Sequence, residues 1–237
     1  MKLQQLMSRT RKAVDDYNMI NDGDIIAVGI SGGKDSLSLL AALAGMRRFY
    51  PKKFSLLAVT CNIGFNNMNF DKIREFCDNL DVPYYIIDTD ISKIVFDDRN
   101  EENPCSLCAK MRKGAMNDFI KTHQCTKIAY AHHMDDVVDT FMMSLIYEGR
   151  VHTFRPVTYL DKSGVTVIRP FIYMKEADVI GFVNSNNIPV LKSTCPVDGY
   201  TKRQFVNDKL NELNHDAPGV RERMFTAICN SVEGWIK

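Results

Sequence analysis

The spacing of apolar positions changes period repeatedly along the chain. Over residues 3–19, Leu3, Leu6, Met7, Thr10, Val14 and Tyr17 recur at helical intervals and predict an amphipathic N-terminal helix. From Ile25 to Ile30 the pattern becomes a continuous apolar run, as in a strand buried on both faces. Ser31, Gly32 and Gly33 stop that run, and a helical pattern follows over about 36–48, closed by Pro51. A second strand is predicted at Phe54–Ile63, a helix over 69–80 and a third strand at Pro83–Asp88. Glu101–Pro104 reads as a polar loop, Ser106–His123 as a helix, Lys127–His132 as a fourth strand and 134–148 as a helix. Beyond these, Val165–Arg169 suits a short hairpin strand, and helices are predicted at Lys175–Asn186, 200–213 and 218–234.

Strands alternating with helices predict βαβ units, hence an α/β fold with a parallel sheet and right-handed crossovers. Ligands of such sheets gather at the carboxyl ends of the strands, beside the switch point. The strand ends with unusual chemistry are Ser31, Cys61-Asn62 and His132-His133. The expected organisation is an N-terminal helix (1–20), an α/β nucleotide-binding domain (21–149), and a C-terminal extension (150–237) that completes the sheet.

The first of those strand ends carries the sharpest signal. In Ser31-Gly32-Gly33-Lys34-Asp35-Ser36 a strand gives way to a helix across two glycines. The first N–H groups of a helix lack internal partners and carry partial positive charge, so such a turn suits phosphate. Glycine lets backbone approach the anion, and Lys34 adds a full charge. The Walker spacing is not met, because Asp35 follows Lys34 and Val28 stands where the first glycine belongs. The plainer alternative is a tight turn with Asp35 as a cap. The hexapeptide resembles the PP-loop of the N-type ATP pyrophosphatases. That resemblance implies cleavage of ATP between the α and β phosphates and activation of a carbonyl oxygen as its adenylate. Ser31 to Ser36 would then hold the departing pyrophosphate, with Asp35 near a magnesium ion.

Composition adds limits. The chain has 237 residues, 45% hydrophobic and 25% charged, which suits one sizeable soluble domain with short additions. Its net charge of +1 argues against a strongly basic nucleic-acid binder, so RNA contacts would need local patches. Lys2, Arg9, Arg11 and Lys12 form one cluster; Lys192, Lys202, Arg203 and Lys209 form another, and a solvated helix face is the simpler reading of either taken alone. No run approaches the ~18 apolar residues of a membrane span, and Met1–Ile20 is too polar for a secretory signal. A cytoplasmic protein with its seven cysteines reduced is the expectation.

Cys105-Ser106-Leu107-Cys108 opens a predicted helix, where the dipole is expected to lower thiol pKa. Alone, the pair fits a zinc half-site, a redox pair or an iron–sulfur half-site. No second pair exists to complete a zinc site. Cys195 precedes Pro196 in a loop, as cluster-ligating cysteines often do. Cys61, Cys77, Cys125 and Cys229 suit the core.

Pro104-Cys105-Ser106-Leu107-Cys108-Ala109-Lys110-Met111-Arg112-Lys113-Gly114 resembles the cysteine motif of the tRNA 2-thiocytidine synthetase family. Ala131-His132-His133-Met134-Asp135-Asp136 is similar to that family's histidine and acidic-pair motif, and Cys195-Pro196 falls at its third cysteine. The family's fold is the adenine nucleotide alpha hydrolase (HUP-like) sheet. The resemblance implies that Cys105, Cys108 and Cys195 hold a 4Fe–4S cluster whose fourth iron binds sulfide. ATP would adenylate the C2 oxygen of a tRNA cytidine, at position 32 of the anticodon loop, and sulfur would replace that oxygen. Asp35 and Asp136 are the implied magnesium ligands. Ala27, Ile30, Asn62 and His133 are expected beside the ATP, by fold analogy. His132 and His133 are also explained as hydrogen-bonded structural residues, Asp135 as a helix cap, and Arg112 as either an RNA contact or an exposed charge. Partners implied are tRNA and a cysteine desulfurase or other sulfur donor; a homodimer would join two basic surfaces. Open alternatives are thiolation of another base, a persulfide on Cys108 or Cys195, a different PP-loop ligase, and a non-enzymatic nucleotide-binding module with structural zinc.

Overall fold

The computed structural model describes residues 1–65, 68–99, 104–161, 163–192, 195–196 and 202–235. The buried run becomes β1 (Asp24–Gly29), flanked on one side by β2 (Phe54–Asn62) and then β3 (Tyr84–Asp88). On its other side stand β4 (Lys127–Ala129), β6 (Val165–Ile168) and β5 (Val157–Leu160), giving the order β3-β2-β1-β4-β6-β5. All neighbours are parallel except the β5–β6 hairpin at the edge. Val28 pairs with both Ala58 and Ala129, so the connections leave β1 in opposite directions and open a crevice at the carboxyl ends of β1 and β4.

Helices cover both faces. On one side α1 (Leu3–Asp16) buries Leu6, Thr10, Ala13 and Val14 against α2 (Lys34–Met46), which is apolar nearly all round and correspondingly buried. α3 (Asp71–Asn79) docks Ile73 and Cys77, and α5 (Met134–Met143) docks Val137 and Val138, into the same layer. On the other side α4 (Pro104–Thr122) lays Met116, Phe119 and Ile120 on Ala27, Val59, Ile128, Val165 and Val167. α6 (Glu176–Asn186), α7 (Lys202–Asp216) and α8 (Val220–Ser231) pack around α2 and α5.

Several expected boundaries move. β4 stops at Ala129 rather than His132; Tyr130 N–H still donates to Ile168 O at 3.0 Å, and the chain then turns toward α5. The helix expected over 134–148 loosens into a π-helical turn at Ser144–Glu148, ended by Gly149 at φ 64°. Another π-helical turn, Lys93–Asp98, fills a stretch given no element. The hairpin partner β5 is four residues of exposed edge with no clear period, so its pattern carried no signal. The expected polar loop falls on residues 101–103, outside the described residues, and Pro104 already opens α4. Among the described residues no helix is long and apolar enough to cross a membrane.

Candidate active site

The backbone of β1 runs into the phosphate-type loop at Ile30, whose N–H donates to Val59 O at 2.8 Å. Gly32 adopts φ +81°, a conformation costly for other residues, and a Cβ there would sit 3.2 Å from Leu191 Cδ1. Leu191 N–H donates to Gly32 O at 2.9 Å, so the segment leading to Cys195 is tied to the loop. Within the loop, Ser31 N–H and the Ser31 hydroxyl each lie 3.2 Å from Ser36 Oγ, which donates to Gly33 O at 3.0 Å. Gly33 is the N-cap of α2 and supplies no side-chain cap. The first turn of α2 therefore presents N–H groups that an anion can take.

A polar cavity of about 180 Å³ opens beside this turn, at the carboxyl ends of β1 and β4. Lys34, Asp35, His133, Asp136, Glu176 and Arg203 line it. Lys34 Nζ bridges Asp35 at 3.1 Å and Glu176 at 2.9 Å. Burial would lower the Lys34 pKa, but the two carboxylates outweigh it and hold the ammonium above its usual value. Glu176 moves down: burial opposes ionisation, and the hydrogen bond and charge of Lys34 overcome it. Asp35 Oδ1 is buried with no hydrogen-bond partner among the described residues, 3.8 Å from His133 Nε2. An orphaned carboxylate oxygen beside a phosphate loop is a fitting ligand for magnesium.

Asp136 is differently placed. Its Oδ2 accepts from His133 N–H at 2.9 Å, while His133 Nδ1 accepts from Asp136 N–H at 3.4 Å, a reciprocal cap of α5. Its Oδ1 accepts from Arg203 at 3.1 Å. Burial is the main influence on its pKa and raises it, against His133 and Arg203. Both of its oxygens are thus engaged, unlike those of Asp35. Asp135, expected as a cap of its own helix, instead accepts from Glu176 N–H at 2.8 Å and caps α6. Nearby, Arg221 on α8 donates to Asp139 at 2.9 Å in a buried pair, and Asn207 on α7 donates to the other oxygen. Glu176 and Arg221 had no sequence signal, and Arg203 stood out only as part of a basic cluster, since each comes from a separate helix of the last third.

The remaining expected nucleotide neighbours divide. Asn62 stands at the end of β2, donating to Asp88 and accepting from Gly64 N–H. Ile30 is almost fully buried at the strand end. Ala27 is wholly buried in mid-strand under α4, so it faces packed side chains rather than the open edge. Within the N-terminal basic cluster Arg9 pairs with Asp178, Arg11 with Asp15 and Lys12 with Asp16. In the second cluster Arg203 and Lys209 are paired, with Asp136 and Glu212.

Cys105 and Cys108 lie in the first turn of α4, exposed and half-buried respectively, and Cys195 is half-buried. The Cys108 thiol feels the charge of both Cys195 and Cys105, so the three sulfurs share one edge of the sheet. Its pKa moves up, not down as the dipole argument predicted: burial dominates, over the lowering charge and hydrogen bond of Arg112 one turn on. Cys61, at the end of β2, is also raised by burial and senses Cys108 and Arg112. Cys77 and Cys125 are core thiols, pushed up by burial to about 12 and about 11. Among the described residues no three His, Cys, Asp or Glu side chains converge tightly enough for a single ion. Three thiols are the donor type that an iron–sulfur cluster takes.

A family model described as a PP-loop domain matches residues 3–213. The chain is 34% identical to a tRNA-cytidine(32) 2-sulfurtransferase of Pelobacter propionicus, over 92% of this chain and 82% of the relative. It is also 34% identical to one from Shewanella oneidensis, over 97% of this chain and 76% of the relative. Among solved structures it resembles the U34-tRNA thiolase NcsA from Methanococcus maripaludis with its 4Fe–4S cluster. The TM-score is 0.75 and the identity 25%, covering 93% of this chain and 76% of that one.

Proposed function

Because the chain belongs to the PP-loop domain family, we propose that it is an ATP-dependent tRNA thiolase that replaces the C2 oxygen of cytidine 32 with sulfur. The observation that supports this is that the phosphate loop follows β1 while Cys61, at the end of the neighbouring β2, senses Cys108, which in turn senses Cys105 and Cys195.

The N–H groups of Gly33 to Ser36 and Lys34 receive the β and γ phosphates, which requires Lys34 to exchange Glu176 for the anion. Asp35, with Asp136 behind it, would hold a magnesium ion, which would neutralise charge on the departing pyrophosphate. The cytidine C2 oxygen attacks the α phosphorus, the bond to the bridging oxygen breaks and pyrophosphate leaves. Sulfide then adds at C2 and AMP departs with the original oxygen. A 4Fe–4S cluster on Cys105, Cys108 and Cys195 would supply that sulfide at an iron free of protein ligands. Cys108 is half-buried, and Arg112 one turn on lies close enough to hydrogen-bond its sulfur. The target base must leave its stack to enter the edge. The reading also takes a cytoplasmic setting, a cysteine desulfurase or other sulfur donor, and a homodimer.

The test incubates anaerobically purified protein with unmodified tRNA, ATP, magnesium and sulfide, then digests the tRNA for mass spectrometry. One 2-thiocytidine per AMP released supports the proposal. AMP release without a thionucleoside, or sulfur only in uridine, overturns it.

A further inference from the structure

Next to the phosphate-side cavity the structure holds a second niche that the reaction outlined above does not use. Cys61, Gly29, Tyr130 and Arg169 stand at the carboxyl ends of β2, β1, β4 and β6. A Cβ on Gly29 would lie 2.8 Å from Tyr130 Cε1, so the glycine lets the ring lie close across β1. Arg169 is anchored by Nη1, which donates to Arg155 O at 2.6 Å and Thr158 Oγ1 at 3.2 Å. Its guanidinium lies 4.9 Å from the centre of the Phe154 ring, and the His132 ring is also 4.9 Å from Phe154. Arg169 Nε and His132 Nδ1 are both buried without a hydrogen-bond partner among the described residues. Two unsatisfied buried polar atoms around one aromatic ring are costly in the free protein and call for a ligand with matching groups. His132 is neutral here: burial first, then Arg169, Arg203 and His133, lower its pKa to about 3. It therefore offers one donor and one acceptor nitrogen, whereas a guanidinium only donates.

We propose that Arg169 and His132 seat the target base and select cytosine over uracil, Arg169 Nε–H donating to N3 and His132 Nδ1 accepting from the N4 amine. This rests on the thiolase reading above. Uracil carries N–H at position 3 and an oxygen at position 4. His132 meets that oxygen by changing tautomer, but Arg169 has no lone pair for the N–H. The donor-only residue thus makes the distinction, and an unpaired buried group is what rejects the wrong base.

The experiment measures kcat/KM for thiolation of two tRNAs that differ only in C32 or U32, with ATP affinity measured in parallel. Wild type is expected to favour C32. Arg169→Gln, whose amide accepts as well as donates, lowers the C32/U32 ratio about five- to a hundredfold, the worth of one base contact. Arg169→Lys lowers kcat/KM but keeps the preference, because an ammonium also only donates. His132→Leu raises KM for both tRNAs by about five- to a hundredfold and leaves their ratio near that of wild type, because a neutral imidazole serves either base; its KM decides whether the base is seated here if Arg169→Gln does not fold. ATP affinity stays within twofold of wild type in all three. A wild type that makes 2-thiocytidine while Arg169→Gln keeps its ratio, or while His132→Leu keeps its KM, overturns the proposal and leaves the thiolase reading standing. A wild type that thiolates neither tRNA overturns both.

Discussion

Gly32→Ala isolates the role of the phosphate loop. Gly32 holds φ +81°, and an L side chain in left-handed backbone costs about 1–2 kcal/mol. The added Cβ would also lie 3.2 Å from Leu191 Cδ1 and 3.3 Å from Leu191 Cβ. Leu191 cannot simply retreat, because its N–H is bonded to Gly32 O at 2.9 Å. The loop relieves this strain by shifting, and phosphate binding must then restore its shape. Binding of a non-hydrolysable ATP analogue, followed by calorimetric titration, should weaken about five- to thirtyfold, the equivalent of 1–2 kcal/mol. If the strain remains in the free protein, it appears instead as a Tm lower by about 2–8 °C. The double variant with Leu191→Ala should recover the steric part of the loss and leave the backbone part. A Gly32→Ala protein that binds the analogue and melts like wild type would refute the geometry assigned to this loop.

Three further outcomes follow. Glu176→Gln removes the carboxylate that occupies Lys34 at 2.9 Å, so inorganic pyrophosphate should bind a few times more tightly by titration; weaker binding would show that Glu176 positions Lys34 rather than competing for it. Arg221→Met strips the buried partner from Asp139 and should cost about 3–5 kcal/mol in urea unfolding, whereas a loss below 1 kcal/mol would mean that the pair is not desolvated. His132 is neutral in the fold, so below its unfolded value of 6.5 the unfolded chain binds more protons, and stability falls as pH drops from 6.5 toward about 3. The slope contributed is up to about 1.4 kcal/mol per pH unit, and His132→Gln should flatten this limb of the stability curve; an unchanged limb would place the acid sensitivity elsewhere.

What could be read from sequence was local. The Ser31–Ser36 loop announces itself because an apolar strand, two glycines and a helix are contiguous, and the turn they form needs no distant partner. His133 and Asp136 sit three apart at a helix start, so their mutual cap is also a local matter. The rest of the cavity is assembled from afar. Glu176, Arg203 and Arg221 reach it from α6, α7 and α8, and no spacing rule links them to residues 34 or 136. Charge counts are silent on pairing for the same reason: Arg9 meets its partner Asp178 only after folding. The thiol shift of Cys108 went the other way because burial, which depends on the finished fold, outweighs a helix terminus that sequence can foresee. β5 was missed because four residues span only two strand periods, and Val157-Thr158-Tyr159-Leu160 does not alternate cleanly over them.

The central claim is that this chain's three cysteines hold an iron–sulfur cluster beside an ATP loop. Iron, acid-labile sulfide and zinc should be quantified, with an absorption spectrum, on protein purified without oxygen, in wild type and in Cys105→Ala, Cys108→Ala and Cys195→Ala. The account predicts about four irons and four sulfides per chain, lost from each variant while Cys77→Ala keeps them. Zinc alone, or protein that stays colourless after iron and sulfide are supplied, would contradict it.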